Sequence, residues 1–264
     1  MCGRFTNKLT WEEIVRLYRL TMDRPPHNMR ADYNVCPTDP VDTVVERDGQ
    51  RDLVQMRWGL VPYWWSKPLK ELRAATFNAR VETVETKPFF RESFKRKRCL
   101  MPISGYYEWQ DTANGKQPWY FTARDASPIL TVAALWDEWK NKETGERLKS
   151  CAMIITEPND FVAEVHDRMP VLLKPKQFEH WLTGEMGVEE LRPAPSDYLR
   201  RWAVSKRVNS SKADKDDATL IEPIKLNSTN STRCWRKVLR RRKTQHSLQK
   251  CCRWRMTGAI QRSN

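Results

Sequence analysis

Residues 41–58 read Val41-Asp-Thr-Val-Val-Glu-Arg47, Asp48-Gly49, Gln50 and then Arg51-Asp-Leu-Val-Gln-Met-Arg-Trp58. The first arm is rich in β-branched residues. In the second, Val54, Met56 and Trp58 share one face, the period-2 spacing of a strand. Asp-Gly between two such arms signals a tight hairpin, because a two-residue turn of the favoured type needs positive φ at both central positions. The stretch therefore predicts an antiparallel strand pair. The same pattern recurs outward along the chain. A strand over Cys99–Gln110 turns through Asn114-Gly115 into Trp119–Ala123, and Pro128–Trp136 pairs with Leu148–Thr156 around Thr144-Gly145. A short extended piece, Tyr33–Pro37, comes earlier, and two short strands over Ala203–Val208 and Leu220–Ile224 come last.

Helices are isolated between these hairpins. Thr10-Trp11-Glu12-Glu13 is a capping box, followed by Ile14, Val15 and Tyr18 at helical spacing. Asn159-Asp160 can cap a short helix ending near Val165, and Pro175–Leu182 is a helix closed by Gly184. Strands and helices do not alternate regularly. The predicted class is α+β: one domain of curved, mostly antiparallel, barrel-like sheet with surrounding helices.

The chain has 264 residues and a formal charge of +14. Twelve Lys and Arg lie between Lys225 and Asn264, where there is no Asp or Glu, so the first 224 residues are near neutral, at +2. Nucleic-acid contact by that body must come from local cationic clusters. The expected organisation is a domain over 2–224 and a basic, disordered tail over 225–264. No run of roughly 18 apolar residues predicts a membrane span, and Arg4, Lys8, Glu12 and Glu13 interrupt any signal-peptide core. The seven cysteines form no CxxC pair, so neither a structural metal nor a disulfide framework is expected. These features predict a cytoplasmic protein.

Met1-Cys2-Gly3-Arg4-Phe5 carries the first chemical signal. Loss of Met1 would make Cys2 a 1,2-aminothiol, whose amine condenses with an aldehyde and whose thiol then closes a five-membered thiazolidine. Both groups titrate near neutrality, at about 7.7–8.0 and about 8.5, so modest shifts activate either one. Four other stretches supply what such chemistry needs. Asn78-Ala-Arg80-Val-Glu82 puts amide, guanidinium and carboxylate on one face if it is extended. Glu108 sits among Tyr106, Tyr107 and Trp109, surroundings that raise a carboxyl pKa by desolvation. His166-Asp-Arg168-Met-Pro170 sets an imidazole at a helix exit, and Trp64-Trp65 offers flat surfaces in the loop from Gly59. Each also has a structural reading: Cys2 as a small terminal residue, Arg80–Glu82 as a strand-face salt bridge, Glu108 as an ion-pair member, His166 as a helix cap, the tryptophans as core.

Taken in order, Met-Cys-Gly-Arg-Phe (1–5), Tyr-Asn-Val-x-Pro (33–37), Trp-Gly-Leu-x-Pro-x-Trp (58–64), Asn-Ala-Arg-x-Glu (78–82), Gly-x-Tyr-Glu-Trp (105–109) and His-Asp-Arg-Met-Pro (166–170) resemble the SOS response-associated peptidase (SRAP) family. The resemblance runs from Cys2 to about Ile224. It implies an abasic-site processing protein that binds single-stranded DNA and joins Cys2 to the abasic-site aldehyde as a thiazolidine, after self-processing at Met1. By motif the catalytic set would be Cys2, Asn78, Glu108 and His166. Glu108 would move protons, His166 would assist at the imine, and Asn78 would orient the N-terminal residue. Arg4, Arg80 and Arg168 would hold phosphates, with Asn34, Pro37, Trp64 and Trp65 at the same DNA surface. The implied protein is a monomer without cofactor or metal, nucleoid-associated when on DNA. Two other readings of Met-Cys-Gly stay open at this point: an N-terminal-nucleophile cysteine amidohydrolase and a non-covalent reader of modified DNA bases.

Overall fold

The computed structural model describes residues 2–226. Met1 and residues 227–264, and with them most of the stretch expected to be a disordered tail, lie outside the described residues. The strands are, in chain order, β1 (Phe5–Asn7), β2 (Asp32–Val35), β3 (Pro40–Arg47), β4 (Gln50–Trp58), β5 (Asn78–Arg80), β6 (Arg98–Ile103), β7 (Gly105–Thr112), β8 (Gly115–Ala123), β9 (Leu130–Lys140), β10 (Arg147–Thr156), β11 (Met169–Pro170), β12 (Leu172–Leu173) and β13 (Leu199–Ala203). The helices are α1 (Trp11–Tyr18), α2 (Arg91–Arg96), α3 (Asp160–Ala163) and α4 (Phe178–Leu182).

The hairpin of residues 41–58 forms as its turn chemistry requires. Asp48 and Gly49 both have positive φ, at 51° and 74°, and β3 pairs with β4 in unbroken register from Pro40↔Arg57 to Arg47↔Gln50. This hairpin is two-fifths of a barrel. The strands β10, β4, β3, β6 and β9 are hydrogen-bonded in that order, and β9 pairs back onto β10 to close the ring. Most pairs are antiparallel, as expected; β10 runs parallel to β4 and to the short β5. A second sheet, in the order β13-β8-β7-β1-β2, packs beside the barrel.

Alternation along the strands sends residues into two cores. Cys99, Met101 and Ile103 of β6 pack with Phe5, Tyr106 and Phe121 of the second sheet. Leu100 of β6, with Ala133 and Leu135 of β9, packs under Ile14 and Tyr18 of α1 and Phe178 and Trp181 of α4. The Thr10–Glu13 capping box is formed, which starts α1 where its apolar stripe begins. A smaller core on the far side of the second sheet gathers Tyr107, Tyr120, Val204, Val208 and Leu220.

Three sequence expectations are corrected. Cys99–Gln110 is two strands, not one: the chain turns a corner at Ser104 and passes from the barrel into the second sheet. The corner is held by Ser104, whose N–H donates to the Thr6 carbonyl (2.8 Å) and whose hydroxyl accepts from the Lys8 N–H (2.9 Å). Gly105 follows because a Cβ there would run into the Tyr120 hydroxyl and the Phe121 carbonyl oxygen. The expected strands over 203–208 and 220–224 are largely 3₁₀ turns, Lys206–Asn209 and Ala218–Ile221; the regular strand lies earlier, at β13. Finally, β5 ends at Arg80 and a 3₁₀ turn begins at Val81, so Asn78, Arg80 and Glu82 do not share an extended face.

Burial governs how this fold should respond to alkali. It pushes the Cys2, Cys99 and Cys151 thiols up, and likewise the phenols of Tyr18, Tyr106 and Tyr107, with Tyr120 raised to about 12. A group whose folded pKa exceeds its unfolded one stabilises fully below the unfolded value and loses that contribution as pH rises through the folded value. Stability to urea should therefore hold to about pH 8.5 and fall beyond it. The loss begins with the thiols and steepens above about pH 10 as unfolded tyrosines ionise. Midpoints measured from pH 7 to 11 test this, and a flat profile across that range would contradict it.

Candidate active site

Register in the second sheet determines what Cys2 meets. Phe5 pairs with Tyr106 and Thr6 with Gly105, and the Tyr107 N–H donates to the Arg4 carbonyl (2.9 Å). One residue further along, that antiparallel register sets Gly3 opposite Glu108, which brings the adjoining Cys2 to the Glu108 carboxylate. The Glu108 carboxylate accepts a hydrogen bond from the Cys2 thiol. Burial first, then the facing Glu108 charge, push this thiol well above its ordinary value. Cys2 and Glu108 are almost completely shielded from water, at 2% and 1% exposure.

Asn78 reaches the same residue from the barrel. The pairing of β5 with β10 (Met153↔Asn78) sets its position, and its amide Nδ2 donates to the Cys2 carbonyl at 2.8 Å. His166 leaves α3, which Asn159 caps as expected. Its Nε2 lies 3.6 Å from Glu108 Oε2. The backbone N–H of Arg168 donates to His166 Nδ1 (3.1 Å), which makes Nδ1 the acceptor and puts the proton of the neutral ring on Nε2, facing Glu108. The Asp167 carboxylate also lies 3.3 Å from Nδ1. It is exposed, so water weakens its pull, and the fixed backbone donor decides the tautomer. The structure thus brings Cys2, Asn78, Glu108 and His166 together. The surroundings expected for Glu108 are corrected: Tyr107 and Trp109 lie on the opposite face of β7, and only Tyr106 shares its side.

The three arginines have different situations. Arg80 is exposed and has no ion pair among the described residues. Arg168 is paired with Glu82, so the strand-face Arg80–Glu82 bridge does not form. Burial opposes ionisation of Glu82, but the Arg168 hydrogen bond and charge prevail and hold its carboxyl below the usual range. Arg4 turns inward, with Nη1 donating to Asn34 Oδ1 and to the Val208 carbonyl (2.7 Å). Asn34 is fully buried and uses its Nδ2 on the Ser210 carbonyl (3.0 Å). Arg4 and Asn34 therefore fasten the 208–213 segment to the N-terminus. Pro37 follows β2 and is half-buried.

Trp64 and Trp65 occupy an irregular loop, as expected, and pack against Phe89 at 5.4 and 6.2 Å. Tyr63 and Trp64 are exposed, at 58% and 40%. The loop is pinned by a residue the sequence did not reveal. Buried Asp137 accepts from the Tyr63 N–H (2.9 Å) and from Lys97 Nζ (2.5 Å), while Trp139 Nε1 donates to the Trp65 carbonyl (2.6 Å). An acid between Trp136 and Glu138 on a strand gives no local sign of this task. Among the described residues no three His, Cys, Asp or Glu side chains converge as a metal site, and no helix is long and apolar enough to cross a membrane.

The chain is similar to known proteins in sequence and in fold. The family model described as SOS response associated peptidase (SRAP) matches residues 1–211. The Bacillus subtilis protein named abasic site processing protein YoqW is 31% identical over 228 residues, covering 84% of this chain and 99% of its own. Abasic site processing protein YedK of Escherichia coli is 28% identical over 233 residues, covering 85% of this chain and 100% of its own. A crystal structure of a Bacteroides thetaiotaomicron protein, 24% identical, matches 85% of this chain and 100% of its own with a TM-score of 0.76, a likeness of fold.

The difference between the arginines is measurable. Arg4→Ala should lower stability by about 1–3 kcal/mol, because it strips partners from the buried Asn34 amide and from a chain carbonyl. Arg80→Ala should stay within about 0.5 kcal/mol of the parent, as exposed substitutions do. Urea denaturation of both variants decides, and equal stabilities would remove the structural role given to Arg4.

Proposed function

This chain belongs to the SOS response associated peptidase family, and from that premise we propose that it processes abasic sites in DNA by capturing the ring-opened sugar aldehyde on Cys2. The observation that carries this reading is that Cys2 is gripped at both ends, Asn78 on its carbonyl and Glu108 on its thiol, with His166 behind Glu108. That is the layout a reacting N-terminal residue needs: a fixed backbone and a proton carrier at the reacting atoms.

Hydrolysis of the Met1–Cys2 peptide bond, the self-processing step, frees the Cys2 amine. The amine adds to the aldehyde carbon, and a proton moves from nitrogen to the former carbonyl oxygen. The carbinolamine then loses that oxygen as water, leaving an imine. The thiol sulfur bonds to the imine carbon while its proton goes to nitrogen, which closes the thiazolidine. The balance is aldehyde plus aminothiol giving thiazolidine and one water. The raised thiol pKa suits this order, since a protonated sulfur leaves the first attack to nitrogen. Glu108 is the carrier for these protons, and Nε2–H of His166 resupplies it.

The partner in this proposal is single-stranded DNA. Exposed Tyr63 and Trp64 provide rings on which unpaired bases stack regardless of sequence. Arg80 is the phosphate contact available as the molecule stands, and Arg168 joins it by exchanging Glu82 for phosphate. The protein acts as a monomer.

Incubation with an abasic single strand, followed by a denaturing gel and intact-mass measurement, tests the proposal. The product should weigh as the Met1-less protein plus DNA minus one water. Cys2→Ser should lose the denaturation-resistant product yet keep an imine that borohydride traps, because its amine remains. A resistant product from Cys2→Ser equal to that of the parent would sink the thiazolidine.

Glu108→Gln keeps shape and polarity but carries no proton. It should slow single-turnover crosslinking by roughly 10²–10⁴-fold with DNA affinity unchanged. A parental rate would reduce Glu108 to a packing residue.

A further inference from the structure

Tyr106 and Glu108 stand two residues apart on β7 and share one face. The Tyr106 ring is 1% exposed and stacked on Phe121, with centroids 5.0 Å apart and planes 8° from parallel. Its position is therefore fixed. Its hydroxyl has no hydrogen-bond partner among the described residues. The other fully buried phenols are satisfied: Tyr18 with the Thr131 hydroxyl (2.7 Å), Tyr120 with the Thr6 hydroxyl (2.8 Å), and Tyr107 with the Tyr33 carbonyl (2.9 Å). An unpartnered buried hydroxyl weakens a fold, and phenylalanine would fill the same space without that penalty.

The charges that act on this phenol are those of Cys2 and Glu108, which hold its proton on, and that of Arg201, which acts with the opposite sign. A second orphan belongs to the same centre. Asn78 gives its Nδ2 to Cys2, but its Oδ1 is buried and unpartnered. One atom is a donor and the other an acceptor, beside the residue that reacts.

We propose that the Tyr106 hydroxyl is a substrate-contacting group that donates a hydrogen bond to the oxygen of the captured aldehyde. This rests on the reading of Cys2 given above. As the amine adds, the carbonyl π pair moves onto that oxygen, and the phenol steadies it until it departs as water. Tyr106 keeps its own proton throughout. Burial, then the nearby Cys2 and Glu108, push the phenol well above its usual range, which suits a hydrogen-bond donor that never ionises. The Asn78 Oδ1 atom takes the remaining N–H of the Cys2 nitrogen.

The test is Tyr106→Phe in the full chain. Single-turnover crosslinking to an abasic single strand should slow by about tenfold, the worth of one hydrogen bond made in the transition state. Imine trapped by borohydride should fall in parallel, because the contact acts before the imine forms. Affinity for an intact single strand should not change, and the melting temperature should stay level or rise. A parental crosslinking rate would overturn the proposal. So would a lowered melting temperature, since the hydroxyl would then have a partner within the fold. The parental protein separates this from the underlying reading: no adduct from it overturns both, whereas an adduct formed equally fast by both proteins overturns the Tyr106 contact alone.

Discussion

Everything at the site depends on one pairing, that of the three-residue strand β1 between β2 and β7. A chain terminus is ordinarily free to fray. Here Phe5 is held opposite Tyr106 on one side and Val35 on the other, and its ring meets Trp58 of the barrel at 5.0 Å. Three residues upstream of so firm an anchor, Cys2 has little freedom left, and its carbonyl and thiol are both occupied. Arg4 adds a tie to the 208–213 segment. Cys2 is thus held as firmly as a core residue, which is the orientation that the proposed imine chemistry requires.

The barrel contributes through β10. Its Ile155 lies between Arg80 on one neighbouring strand and Pro170 on another. The two motif segments 78–82 and 166–170 therefore flank a single strand, which explains why Glu82 pairs with Arg168 and not with Arg80. The parallel pairing of β10 with β4 and β5 makes this possible, because it lets segments far apart in sequence end at the same level.

What could be read in the sequence follows from how local its cause was. The 41–58 hairpin, the Thr10 cap and the Asn159 cap are each specified within a few residues, and each forms as read. The corner at Ser104 was hidden because an apolar run, Cys99–Ile103, is followed closely by an aromatic one, Tyr106–Trp109, and the two read as one strand; only Ser104-Gly105 marks the change of sheet, and the partners that enforce it, Thr6 and Tyr120, are distant in sequence. The C-terminal 3₁₀ turns are set by packing on Tyr107 and Tyr120, not by their own propensity. For the site, motif order brought out Cys2, Asn78, Glu108 and His166. The division of labour among Arg4, Arg80 and Arg168 depends on tertiary partners and could not be read from residue type. Tyr106 counted only as an aromatic neighbour of Glu108, although the i, i+2 spacing already put the two on one face.

The unsatisfied polar atoms give an independent view of where this fold is spent on function. In a folded chain nearly every buried donor and acceptor finds a partner, and each failure costs about 1–3 kcal/mol. Among the described residues, buried atoms without a partner occur at Arg4, Trp65, Asn78 and Tyr106. All four lie within or directly beside the motif stretches at 1–5, 58–64, 78–82 and 105–109, while the much larger barrel core is satisfied through its ladders and through bonds such as Trp181 Nε1 to the Cys99 carbonyl (2.8 Å). Chance would scatter such defects over the buried surface. Two of the four, the Asn78 Oδ1 atom and the Tyr106 hydroxyl, belong to residues next to Cys2, so the local rules of stability are relaxed where the proposed reaction would bring a new hydrogen-bonding partner.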